Sequence, residues 1–141
     1  MTVRSRREVR EAIADALATA LAGQVQAVYP FAAADFEGRS PVVRVLSRGS
    51  ARQPRGLGET MGVVVEFWVL FSQRRSGYTR RDAEDTLDAL EQALAAWAEG
   101  AQNGALWTGV RYDGMSMVGQ TPVVRGEAWL VEVVNLVVQV K

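Results

Sequence analysis

Two carboxylates in this chain lie inside apolar runs: Glu66 in "MGVVVEFWVLFS" (Met61–Ser72) and Glu132 in "EAWLVEVVNLVVQV" (Glu127–Val140). A buried carboxylate pair is equipment for general acid–base work, because burial moves its pKa toward neutrality. The plainer assignment for each is a carboxylate that meets an arginine across a subunit boundary or faces water. A second acidic group, "DAEDTLDALE" (Asp82–Glu91), places carboxylates one helical turn apart. That spacing can hold a divalent cation, but with no further ligand cluster in the sequence it reads as a solvated helix face. The third candidate is basic. "SRGSARQPRGLGET" (Ser47–Thr60) carries Arg48, Arg52 and Arg55, with three glycines and one proline. Gly56, Gly58 and Gly62 of the overlapping "RGLGETMG" lack the dinucleotide spacing and precede a strand rather than a helix, and the G-K-[ST] of a phosphate loop is absent. A flexible arm at 47–60 remains. It would dock on an acidic protein surface, hold nucleic-acid phosphates, or sit as a solvated hairpin tip.

The four tryptophans divide by context. Trp97 falls on a helical apolar stripe and is expected in the core, and Trp107 lies in a strand candidate. Trp68 and Trp129 lie in strands and suit interface anchoring, for which tryptophan is enriched. A base-stacking surface would need basic residues interleaved with the aromatics, and Met61–Ser72 has none.

Composition bounds what these groups can do. The chain has 141 residues, 48% hydrophobic and 23% charged, with formal net charge zero, which fits one domain without overall attraction to nucleic acid or anionic membrane. Of 16 basic residues, only Lys141 is not arginine. There is no cysteine and no histidine, so disulfides, thiolate zinc sites, cysteine nucleophiles and imidazole-based triads are excluded. No catalytic residue, cofactor or metal site is expected. No apolar run reaches membrane-spanning length and the N-terminus lacks a signal-peptide pattern, so the expected compartment is the cytoplasm or an assembly made there.

The positioning elements follow from periodicity. Val9, Ile13, Leu17 and Leu21 predict an amphipathic helix over Ser5–Leu21, with Ser5 and Glu8 at capping-box spacing and Gly23 as a stop. Thr79 and Asp82 open a second helix ending near Gly100, with Ala83, Leu87, Leu90, Leu94 and Trp97 as its buried stripe. "PVVRVLS" (41–47), Met61–Ser72, a strand over 107–118 kinked near Gly114, and Glu127–Val140 are the strand candidates. The halves of the last appear out of phase, which predicts a bulge near Glu132–Asn135. The expected fold is α+β: a mainly antiparallel sheet of about four strands with two helices on one face, in the order α-β-β-α-β-β. The even positions Val64, Glu66, Trp68 and Leu70 are too apolar for a wet sheet face, so an oligomer is expected to cover them.

The succession of "VREAIADALATAL", a "VYP" connector, "VVVEFWVLFS", "GYTRRDAEDTLDALEQAL" and "VVRGEAWLVEVVNLVVQV" resembles the tail terminator proteins of long-tailed bacteriophages and related minor tail and neck proteins. The resemblance implies a non-enzymatic ring, typically a hexamer, located in the virion tail. Such a ring caps the tail tube, stops its polymerisation and meets the head connector. Its partners would be further copies of itself, the tail tube protein and a head connector or neck protein, with DNA passing through the lumen. A neck subunit and a nucleic-acid-binding module using Arg48, Arg52 and Arg55 are the alternatives. The residues expected at subunit or partner interfaces are Arg48, Arg52, Arg55, Val64, Glu66, Trp68, Leu70 and Trp129.

Overall fold

Both helices begin where reciprocal capping satisfies their first free N–H groups. In the computed structural model, which describes residues 3–52, 59–74 and 76–141, α1 spans Arg6–Ala20 and α2 spans Arg80–Gly100. The Glu8 amide donates to Ser5 Oγ at 3.0 Å, and the Ser5 amide donates to Glu8 Oε1 at 3.1 Å. Thr79 and Asp82 repeat the arrangement, with the Thr79 amide 2.8 Å from Asp82 Oδ2. These backbone donors hold the Glu8 and Asp82 carboxyls below the usual carboxylate range. The helices bury Val9, Ile13, Ala14 and Leu17 on α1, and Ala83, Leu87, Leu90, Leu94 and Ala98 on α2. Trp97 is only half-buried and packs edge-on against Trp107, with ring centroids 6.2 Å apart.

The sheet departs from the four-stranded antiparallel expectation. Six strands form one mixed sheet: β1 (Ala27–Tyr29), β2 (Val42–Arg52), β3 (Glu59–Ser72), β4 (Trp107–Tyr112), β5 (Met117–Gln120) and β6 (Glu127–Val140). The order is β1-β2-β3-β6-β4, with β5 also paired to β6. β1 pairs parallel to β2, and every other pairing is antiparallel. Three residues are too few to carry a strand periodicity, so β1 leaves no sequence signal. The expected 107–118 strand is divided instead. β4 pairs with the C-terminal half of β6 and β5 with its N-terminal half, and Gly114 at φ 80° turns the chain between them. An L-residue side chain would be strained there.

The core lies between the helices and one sheet face, lined by Met61, Val63, Val65, Phe67, Val69 and Phe71 of β3. Against these, β3 and β6 pair over fourteen residues in unbroken register, from Glu59–Val140 to Ser72–Glu127. The bulge expected near Glu132–Asn135 is therefore absent. Even-numbered residues of β6 face the core throughout, and Glu132 points inward among them. The apparent phase change arises because both β6 faces are apolar, so alternation alone does not identify the inner one. Bulges occur elsewhere, between Ser47 and Gly49 of β2 and between Trp107 and Gly109 of β4.

Thr79→Ala is expected to cost about 1 kcal/mol through the lost cap. Phe67→Ala, at a fully buried position of β3, should cost about 3–5 kcal/mol. Urea unfolding followed by circular dichroism measures both.

Candidate functional site

The sheet face opposite the helices gathers five of the expected interface residues. Val64, Glu66, Trp68 and Leu70 alternate along β3, and Trp129 lies opposite Leu70 on β6. All five are half-buried. Part of this cover comes from the chain itself. The segment between β1 and β2 brings Phe36 over the sheet, 5.4 Å from the Trp68 ring and 5.1 Å from Trp129, while the two indoles meet edge-on at 6.1 Å. Ala33, Phe36 and Val42 form a second, small core there. Trp68 and Trp129 thus anchor a loop of their own subunit.

Glu66 likewise finds its partner within the chain. Arg44 stands opposite it on β2 and donates through Nε to Glu66 Oε1 at 2.7 Å. The Trp68 indole N–H donates to the same oxygen at 3.0 Å. Arg44 Nη1 bonds the Ala33 carbonyl at 2.9 Å, and its guanidinium lies 4.9 Å from the Trp68 ring centroid. The pair is largely buried, with side-chain exposures of 17% and 14%. Charge, hydrogen bonds and ring face are all occupied, which removes Glu66 as a free base and makes Arg44 the tie between sheet and loop. Arg44 escaped the sequence reading because its opposite number depends on the β2–β3 register. Past Leu70 and Trp129 the face continues with Leu46, Val131, Val133 and Val137, half-buried like Val64, and Met117, 74% exposed.

The basic arm is shorter than the expected 47–60 loop. β2 runs on to Arg52 and pairs with β3 from Glu59, because the hairpin ladder continues past the bulge at Arg48. Arg55, Gly56 and Gly58 lie outside the described residues. Arg48 crosses over Gly62, where a Cβ would come within 2.9 Å of its Nε, and pairs with Asp113 after β4. That contact holds the Asp113 carboxyl below the usual range. Arg52 pairs with Glu59 at 2.9 Å and bonds the Arg4 carbonyl at 3.1 Å. Both described arm arginines thus have a carboxylate partner within the chain.

Glu132 occupies a different place. It is 6% exposed, on the helix side of the sheet, and accepts a hydrogen bond from Ser116 Oγ at 2.7 Å. Burial pushes its carboxyl above the usual range; the Ser116 bond opposes this only in part, and Glu91 and Asp88 push it further up. Glu91 in turn accepts from the Tyr112 hydroxyl at 3.0 Å. Burial, followed by that hydrogen bond, raises the Tyr112 phenol well above its ordinary value. Glu84, Leu87, Asp88, Glu91, Val118 and Glu132 line a cleft of about 350 Å³ between α2 and β5. The acidic helix face thus borders Glu132, a juxtaposition invisible without the β5–β6 pairing. Among the described residues, no group of three or more carboxylates is placed to hold a metal ion, and no helix is long and apolar enough to cross a membrane.

In comparisons with known proteins, no family model matches the chain, and no curated protein matches it by sequence.

Arg44→Met should destabilise by about 2–4 kcal/mol, because it strands a largely buried carboxylate. Adding Glu66→Gln should restore part of that loss, and a double-mutant cycle in urea reads the coupling. Glu132→Gln keeps an acceptor for Ser116 and removes the charge. Since the folded-state pKa of Glu132 is raised, its carboxyl supports the fold in acid and loses that contribution as pH rises from the ordinary carboxylate range through the raised value. The variant should therefore match wild type in acid and melt at a higher temperature at neutral pH, as thermal scans across that window would show.

Proposed function

We propose that this chain is a structural, ring-forming subunit of the tail terminator kind. It closes on copies of itself, caps a tail tube, stops tube growth and presents a surface to the head connector. The observation that carries this reading is the second sheet face. Its Trp68–Trp129 end is sealed by Phe36, yet Leu46, Val64, Val131 and Val133, each partly exposed, and Met117, 74% exposed, continue as an apolar strip that no helix of the described residues covers, up to Asn135 and the Arg48–Asp113 pair. An apolar strip of this kind is protected most simply by association. The carboxylates singled out for chemistry are compatible with a structural role, Glu66 being tied to Arg44 and Trp68, and Glu132 to Ser116.

Light scattering should give a mass that is a whole multiple of the monomer, either for the protein alone or after its addition to tail tubes, with closed rings in negative stain. Met117→Asp, at a 74% exposed position of the edge strand β5, should abolish that species while leaving the far-ultraviolet circular dichroism unchanged and costing about 1 kcal/mol or less of subunit stability. A monomer at high concentration that also fails to bind tubes would overturn the proposal.

A further inference from the structure

Zero net charge conceals a strong separation. Residues 3–52 carry eight arginines against five acids, whereas residues 80–141 carry nine acids against four arginines and Lys141. The fold converts this order into a gradient across the sheet. The first block builds α1, β1 and β2 at one side, and the second builds α2, β4, β5 and β6 at the other.

Each side ends in a built surface. On the basic side a ridge of four arginines, Arg4, Arg6, Arg10 and Arg52, runs along the N-terminus of α1 and the outer half of β2. Arg6 Nε bonds Ser50 Oγ at 3.2 Å, Arg10 Nη1 bonds Ser47 Oγ at 2.9 Å, and Arg52 bonds the Arg4 carbonyl. The Arg4–Glu8 and Arg52–Glu59 pairs here are partly exposed and worth little, so they exchange partners at small cost. On the acidic side is the cleft between α2 and β5. Glu84 is paired with Arg80, but no described cation lies within ion-pair distance of Asp88, Glu91 or Glu132. Glu132 holds its carboxyl there at 6% exposure with one neutral donor. On its β5 side the cleft is open at Val118, which is 56% exposed. β5 itself is an edge strand whose four residues are all exposed.

The ridge does not meet its own cleft. At its near end, Ser47, which Arg10 bonds, lies opposite Val63, which pairs with Leu136, four residues along β6 from Glu132. At about 3.3 Å per residue the separation along the sheet is roughly 13 Å there, before the two strands' width between β2 and β6 is added, and more toward Arg52.

We infer that the α2–β5 cleft is the receptor for the arginine ridge of a second copy of this chain, and that this head-to-tail contact closes the ring. The contact joins unlike surfaces, so each copy keeps one free end of each sign until the rotation closes. Oppositely charged ends fix the direction of addition and disfavour back-to-back pairing. The inference rests on the ring reading above and adds to it the two surfaces that meet.

The chain contains no cysteine, so directional cross-linking is clean. Val3→Cys marks the ridge beside Arg4, and Val118→Cys marks the cleft rim; both positions are exposed. Under mild oxidation, at protein concentrations or on tail tubes where wild type forms rings, a mixture of the two single variants should give disulfide-linked dimers, and neither variant alone should do so. The double variant should give a ladder ending at the ring's copy number. Asp88→Arg and Arg6→Glu should each weaken assembly about tenfold or more. An equimolar mixture of the two should regain rings by alternation, because each contact then joins opposite charges, and the Asp88→Arg/Arg6→Glu double variant, which swaps the charges on both ends, should regain them alone. Rings of normal mass without mixed disulfides, and with assembly indifferent to Asp88→Arg, would overturn this contact and leave the ring standing. Wild type that forms no ring alone or on tubes would overturn both.

Discussion

The pairing of β3 with β6 is the constraint on which the rest of this structure depends. Fourteen residues in unbroken register lock two long apolar strands so that odd residues of one and even residues of the other share the core. A slip of one residue would turn every side chain to the wrong face. With that register set, α1 and α2 bury their stripes on one side, β2 must place Arg44 opposite Glu66, and β6 must carry Glu132 inward.

That choice leaves a second face that is neither core nor ordinary surface. The chain covers one end with Phe36, and the Arg44–Glu66 pair locks sheet and loop together where the cover begins. A buried ion pair seldom stabilises more than an apolar substitute would, so its value here lies in specifying a unique arrangement of loop on sheet. Beyond it the apolar strip runs on, which gives the subunit a surface whose burial association would supply.

The distribution of charge adds direction to that association. Arginines concentrate on the α1–β2 side and carboxylates on the α2–β5 side, with the β3–β6 pair between them. Burial disfavours ionisation of the Glu132 carboxyl, so carrying a charge there is a cost that the isolated subunit bears at neutral pH. Such a cost is characteristic of residues retained for a contact rather than for the fold of the monomer.

Much of the architecture was legible before any coordinates. Capping boxes at Ser5–Glu8 and Thr79–Asp82 and the 3.6-residue stripes located both helices, since those signals are local. Met61–Ser72 and Glu127–Val140 stood out as strands by length and apolarity. The same apolarity hid which side of Glu127–Val140 faced inward and suggested a bulge that the register excludes. β1 was too short to show, and the parallel pairing that makes the sheet mixed depends on where the chain returns after Tyr29. Among the candidate site residues, Val64, Glu66, Trp68, Leu70 and Trp129 do share one face. Their partners Arg44 and Phe36, and the meeting of Glu132 with Asp88 and Glu91, come from segments distant in the chain. The amino-acid sequence by itself determined the helices, the two long strands, the absence of cysteine and histidine chemistry, and the segregation of charge along the chain. Only the tertiary structure decided which carboxylate is neutralised and which is left in a cleft, because those pairings are made across strands and layers, where register rather than spacing sets who meets whom.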